Sequence, residues 1–279
     1  MSLEDIVNVT KAAKDAGVPV DKLAYNALEK PTTELGEGLG NLFWLVFSPI
    51  HAARASLEPR IKQFRQNLEN KLSTIPPENL VESPLNIAGP ALEAAKYYIE
   101  HESIREMFAK LIASSMDNRI QNRAHPSFIE IIKQLSPFDA ENLQFLFDNQ
   151  GKFGIINIDV DTKHPATKRR GSTTVAFNTL PFPKLDATNQ SSYLASIENL
   201  ERLKIIEITY ERYYLEDLKY KIFETHQFCQ AVRDMIGSAV MSDGSEIISI
   251  QDKKGIWEFT SFGKNFTRCC LGLRSDSPL

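Results

Sequence analysis

The chain has 279 residues, 42% of them hydrophobic and 24% charged, with a formal net charge of -4. That length accommodates two domains of ordinary size, and that composition excludes wholesale disorder. A slightly acidic whole gives no global pull toward nucleic acid or an anionic membrane, so either would have to be met by a local patch.

The opening stretch, MSLEDIVNVTKAAKDAG, lacks a basic start followed by an apolar run, so no signal peptide is expected. Ser2 and Asp5 open a short helix with Leu3, Ile6 and Val7 on one side, and Gly17 and Pro19 close it. A similar helix is expected from Asp21 to Leu28. Gly36, Gly38 and Gly40 invite a phosphate-loop reading, but the spacing is G-x-G-x-G, no strand precedes it, and no lysine followed by serine or threonine comes after. Close helix packing or a hinge is the better expectation there.

The run from Leu42 to Phe47 is the most hydrophobic point of the chain, yet Ser48 and Pro49 end it well short of the roughly 20 apolar residues that span a bilayer. The helix after it carries Ala53, Leu57, Ile61, Phe64, Leu68 and Leu72 on one face, while Arg54, Arg60, Lys62, Arg65 and Lys71 outnumber Glu58 and Glu69 on the others. Two readings follow. The favoured one makes both stripes core with a solvated charged face. The alternative is an interfacial anchor in which Phe43, Trp44, Arg54, Arg60, Lys62 and Arg65 contact a membrane surface, with the protein acting as a membrane-disrupting effector.

The densest helical pattern lies between Pro76 and Asp139. Leu85, Ala88, Leu92, Ala95 and Ile99 recur three or four apart, and Ile104, Met107, Phe108, Leu111 and Ile112 repeat that spacing. Between them, Ser103 followed three residues later by Glu106 predicts a capping box. A third stripe, Phe128, Ile131, Ile132 and Leu135, begins just after His125 and Pro126, and Ser136 with Pro137 stops it and starts the next helix. Short helices that are apolar on one face hide those faces against one another, which predicts a helical bundle.

The words PENLVESPLNIAGPALEAAKYY, REMFAKLIASSMD and AHPSFIEIIKQLSPFDA in this stretch resemble the signature of the Abi-alpha family, bacterial proteins associated with abortive phage infection. The resemblance covers most of the chain, from about Asp21 to the C-terminal GIWEFTSFGKNF. It implies a role in phage defence. None of the matching words is a catalytic motif, so it implies no reaction.

After Ser136 a helix turns Ala140, Leu143, Leu146 and Phe147 inward and ends at Asn149, Gln150 and Gly151. From Phe153 to Val160, and from Thr173 to Phe177, β-branched and aromatic residues predict strands. The polar loop between them holds His164 and the cations Lys163, Lys168, Arg169 and Arg170, which makes nucleic-acid contact an alternative function. Farther on come a helix from Ser191 to Leu203, a strand at IIEITY, and a longer helix from about Leu215 to Ile236. Glu246 to Ile250 and Ile256 to Thr260 flank DKKG and predict a β-hairpin, followed by a terminal helix through Phe262 and Phe266. This order suits a winged-helix module. Its candidate recognition helix, however, carries Glu198 and Glu201, which would face phosphate, so a protein-binding or dimerising role is the better expectation.

Catalytic constellations are sparse. The five histidines, His51, His101, His125, His164 and His226, make no H-E-x-x-H, and no C-x-x-C pair exists. His226 and Cys229 lie three apart on a helix, which is two ligands and not a site. His101 with Glu102, and Glu93 with Glu100, read as a wetted helix face. Cys229, Cys269 and Cys270 are odd in number with two adjacent, which speaks against a disulfide framework and for a reducing cytoplasm. The expected protein is therefore mainly α with a smaller α+β part: a helical bundle over residues 1–135, then a winged-helix-like region with β-hairpins over 136–279. It is expected in the cytoplasm or at a membrane surface, without catalysis, cofactor or metal, acting on a protein partner, a phage component or a second copy of itself.

Overall fold

The computed structural model describes residues 37–53, 55–237 and 244–272. The two helices expected before Leu28 lie outside the described residues, as do Gly36 and Arg54. The described chain is mostly helical, with one four-stranded antiparallel sheet toward its C-terminal end. It divides into two compact units, Met1–Gln134 with Cys269–Gly272, and Leu135–Arg268 with Leu273–Leu279.

The described helices of the first unit are α1 (Glu37–Ala53), α2 (Glu58–Leu72), α3 (Leu85–Ala95), α4 (Glu102–Ser115) and α5 (Ser127–Lys133). Its centre is α4, buried from Ile104 to Ser115 except at Glu106 and Lys110, where polar chemistry is needed. The α2 stripe Ile61, Phe64, Leu68 and Leu72 is buried, as the core reading expects. Phe64 meets Phe43 and Phe47 of α1 at ring separations of 5.8 and 5.7 Å, and those two rings stack at 4.6 Å. Burial of such side chains stabilises by about 1.5–3 kcal/mol each, so this trio is a main anchor of α1.

Three local expectations fail here. Helix α4 begins at Glu102, with His101 as its N-cap and no side-chain cap, so Ser103 already lies inside the helix and no Ser103–Glu106 box forms. Glu106 instead accepts from Asn67 Nδ2 at 2.6 Å and pairs with Lys71 Nζ at 2.6 Å, because two donors from α2 outcompete one backbone amide. Leu85, expected on the inner face, is 78% exposed at the start of α3. Helix α3 also stops at Ala95 and tightens to a 3-10 turn at Lys96–Tyr98, so Ile99 reaches the core from a different element. The glycine run gives no phosphate loop: Gly38 and Gly40 lie within α1, where a Cβ on Gly38 would face a Glu82 carboxylate oxygen at 3.4 Å.

Asp117 follows α4 and is nearly buried. Its carboxylate accepts Arg119 Nε at 2.8 Å, Arg119 Nη2 at 2.6 Å and the Arg119 backbone N–H at 3.0 Å. The Arg119 side chain holds the carboxyl below its usual range. A depressed pKa stabilises the fold above the unfolded-state value and loses that contribution as pH falls through the folded-state value. Asp117→Asn should therefore cost about 1 kcal/mol at neutral pH, a figure discounted because Arg119 is half-exposed. Urea midpoints taken down a pH series should show wild type and variant converging below the ordinary carboxylate range; a constant gap would refute the assignment.

The second unit contains α6 (Pro137–Asp148), β1 (Ile155–Lys163), β2 (Arg170–Thr179), α7 (Gln190–Arg202), β3 (Ile206–Thr209), α8 (Leu218–Thr225), α9 (Gln227–Gly237), β4 (Glu246–Phe259) and most of α10 (Ser261–Cys270). Helix α6 starts as its sequence predicts: the Ser136 hydroxyl accepts from Asp139 N–H, and the Asp139 carboxylate accepts from Ser136 N–H. A chain of rings runs Phe138, Tyr193, Phe182, Phe145, Phe153, Trp257 and Phe259, with successive centroids 4.8–5.9 Å apart. It forms the aromatic core of the unit.

The sheet order is β2-β1-β4-β3. The hairpin of β1 and β2 is present, but the one expected around DKKG is not. Residues 246–259 form a single strand, whose first part pairs with β1 up to Gly255 and whose last four residues pair with β3. Gly255 serves close approach and not a turn, since a Cβ there would lie 2.7 Å from the Thr209 carbonyl oxygen and 2.7 Å from the Tyr210 ring. The long helix expected from Leu215 to Ile236 is also broken. His226 is extended (φ -66°, ψ 125°) between α8 and α9 and sets its Nε2 3.1 Å from the Phe182 carbonyl oxygen, a tertiary contact that helical periodicity does not encode.

Candidate functional site

Three surfaces are candidates for a functional site, each shaped by the elements beneath it. On α1, Phe43 and Phe47 turn inward and are buried, Trp44 is half-buried, and Leu45 is 41% exposed. Of the residues expected at a membrane, Phe43 is thus a core residue and Arg54 lies outside the described residues. Arg60 and Lys62 are exposed on α2, but Lys62 pairs with Glu58 at 2.7 Å and Arg65 with Glu69 at 2.8 Å. Those carboxylates offset much of the basic face. No helix among the described residues is long and apolar enough to cross a membrane.

The second surface is the tip joining β1 to β2. Lys163 is half-buried at the end of β1, and Lys168, Arg169 and Arg170 are exposed. The structure brings these four together as the sequence predicts. The third surface was not read from the sequence. Before and along α8, Leu215 is 89% exposed, Leu218 76% and Ile222 41%, beside Tyr213 at 57%.

Helix α8 carries two apolar stripes, and packing buries only Tyr220 and Phe223. Tyr220 fixes the geometry: its hydroxyl donates to Gly255 O at 2.8 Å and accepts from Tyr214 N–H at 3.0 Å, while its ring occupies the space a side chain on Gly154 would need. The outward stripe Leu218 and Ile222 is therefore held in place without being covered. Which of the two stripes faces solvent depends on Gly154 and Gly255, far away in the chain.

A shallow cleft at the β3 edge is lined by Glu207, Ile208, Thr209, Arg212, Ile256 and Glu258. Glu207 and Glu258 oppose each other in register, and Arg212 Nη2 stands 4.0 Å from Glu258 Oε2. Opposed like charges cost stability, which the arginine partly offsets. Among the described residues, no three His, Cys, Asp or Glu side chains are grouped to hold a metal ion. Burial pushes the Cys229 thiol up to about 11 and the Cys270 thiol well above its ordinary value, so both are protonated and unreactive at neutral pH. His226 and Cys229 do not converge on an ion site; the histidine faces Phe182, and the cysteine is buried in α9. Glu93 pairs with Lys96 on an exposed face.

The family model described as abortive infection alpha matches residues 56–270, most of the chain, including α2 to α10 and all four strands of the sheet. The chain belongs to the abortive infection alpha family. The match takes in the basic tip and the apolar stripe, while all of α1 lies outside it. No curated protein and no solved structure matches the chain.

Proposed function

We propose that this abortive infection alpha protein acts in phage defence through protein–protein contact, using the stripe of Leu215, Leu218 and Ile222 in its second unit. The observation that carries the reading is the exposure of Leu215 and Leu218, at 89% and 76%, on a segment pinned by Tyr220. Large aliphatic side chains standing together in water mark an interaction surface when the backbone beneath them is ordered. The order α6, α7, β3, β4, α10 supports reading the unit as winged-helix-like. Helix α7 presents Glu198 and Glu201, which suit a protein contact and repel phosphate.

The test is phage plating on cells that express the full chain or its Leu215→Glu/Leu218→Glu variant. Charging two apolar contacts should cost at least about tenfold in affinity, and protection should fall with it while the purified variant keeps its helical circular dichroism. Sedimentation velocity of both proteins separates the two occupants: a dimer lost in the variant identifies a second copy, and a monomer throughout identifies another protein. Undiminished protection by a folded variant overturns the reading.

A further inference from the structure

The basic tip of the β1–β2 hairpin is chemically independent of the apolar stripe. Lys163 and Arg170 are register partners on its last rung, and residues 164–169 close the turn with Lys168 and Arg169 at its crown. Like charges on opposing strand positions repel, so this rung carries a cost that packing does not return. From Thr162 through Leu185 the chain contains no aspartate or glutamate.

The tip is ordered. His164 N–H donates to Arg169 O at 2.8 Å and Lys168 N–H to His164 O at 2.9 Å, while His164 Nδ1 accepts from the backbone of Ala166 and Thr167, both at 3.2 Å. Lys168 is held at φ 58°, a left-handed conformation that lysine adopts at a cost. The cations are thus presented on a built loop.

The carboxylates nearby make no ion pair with these cations, although hydrogen bonds from Ser249 and Ser172, and after them the charge of Arg170, hold the Asp161 carboxyl below its usual range. Asp161 accepts from Ser249 Oγ at 2.7 Å and Gln251 Nε2 at 3.0 Å, and Asp159 accepts from Thr174 Oγ1 at 2.6 Å. Glu246, the register partner of Lys163 on β4, is the carboxylate nearest the rung in the ladder. Among the described residues none of the four cations makes an ion pair, whereas Lys62, Arg65, Lys71, Arg119 and Arg233 all do. Concentrated, preorganised positive charge without an ion-paired carboxylate is complementary to a polyanion. Two adjacent arginines add forked donors that match phosphate oxygens.

We infer that the β1–β2 tip binds the phosphate backbone of nucleic acid through Lys163, Lys168, Arg169 and Arg170, without reading base sequence. Contacts of this kind release condensed counterions, so affinity falls steeply with salt.

The experiment is fluorescence anisotropy of the full chain with a short labelled duplex DNA of random sequence and a short labelled single-stranded RNA. Each is titrated between about 50 and 200 mM KCl, and four contacts predict a log–log slope of about -3.6 on the duplex, equivalent to ~100-fold weaker binding across that range. Arg169→Gln/Arg170→Gln should reduce the slope by about 1.8. Lys168→Gly should reduce it by about 0.9 while giving the left-handed position the residue that suits it, so folding of the tip is preserved. Leu215→Glu/Leu218→Glu should bind like wild type, which keeps this result separable from the protein-contact reading. Absence of binding at the lowest salt, a slope indifferent to the arginine substitutions, or equal arginine-dependent binding to anionic phosphatidylglycerol vesicles would each overturn the inference.

Discussion

Gly263→Ala is expected to destabilise the second unit by about 3 kcal/mol, since among the other described glycines none would bring a Cβ closer to backbone. A Cβ on Gly263 would lie far inside van der Waals contact distance of the Ile205 carbonyl oxygen. That oxygen cannot retreat cheaply. Ile205 N–H donates to Leu200 O at 3.0 Å and Lys204 N–H to Glu201 O at 2.9 Å, which is a Schellman close to α7 with Lys204 at φ 57° in the left-handed position. Ile205 O itself accepts Thr260 N–H at 3.1 Å, and the Thr260 hydroxyl donates to Lys204 O at 2.5 Å while accepting Gly263 N–H at 2.8 Å.

The start of α10 is thereby locked onto the end of α7 by backbone on both sides, and backbone yields less than a flexible side chain. Of the two tryptophans, Trp257 reports on this unit from within its aromatic core. Urea unfolding followed at Trp257 in a Trp44→Phe background should show the midpoint fall with an unchanged slope. A midpoint equal to that of the parent would mean that the α7–α10 junction gives way, and would remove the argument for its rigidity.

Phe64→Ala is the second large effect, expected at about 3–5 kcal/mol in the first unit. Phe64 is fully buried and touches both rings by which α1 is held, Phe43 and Phe47. Its removal deletes a ring from the trio and leaves a cavity that α1, stiffened by the Phe43–Phe47 stack, closes only in part. Trp44 lies next to Phe43 in sequence and is half-buried, so its emission should shift to the red before global unfolding. Protease cleavage within α1 should accelerate in parallel. Phe64→Leu, which keeps most of the volume, should recover more than half of the loss. A cost below about 1 kcal/mol would show that α1 is held by something other than this cluster.

These two substitutions also separate what local sequence encodes from what it does not. The α2 stripe containing Phe64 was legible because it repeats every three or four residues, and an amphipathic helix in a folded chain buries its apolar face. Gly263 was not legible. Nothing in the pattern TSFGKNF distinguishes a glycine needed for close approach from one that is merely tolerated, because the oxygen it must clear belongs to Ile205. Gly255 misled for the same reason: in DKKG it has the form of a turn, while the ladder from β1 and the carbonyl of Thr209 make it a point on a straight strand. The Ser103–Glu106 pair had the right spacing for a cap, yet Asn67 and Lys71 claimed the glutamate first.

The candidate surfaces divide in the same way. The basic tip could be read directly, since Lys163, Lys168, Arg169 and Arg170 are close in sequence and a hairpin keeps them close in space. The apolar stripe could not, because Leu215, Leu218 and Ile222 are exposed only through the choice of Tyr220 and Phe223 as the buried side of α8.

By itself, then, the amino-acid sequence determined the family, most of the helical stripes, the start of α6 at Ser136 and the charge of the tip. All of these depend on residues near one another along the chain, where spacing and side-chain chemistry are enough. The tertiary structure alone decided which of two apolar faces meets water, whether a glycine bends the chain or lets another strand pass, and which donor a carboxylate serves. Each of those is a competition between partners distant in sequence, and its outcome is set by distances that only folding creates.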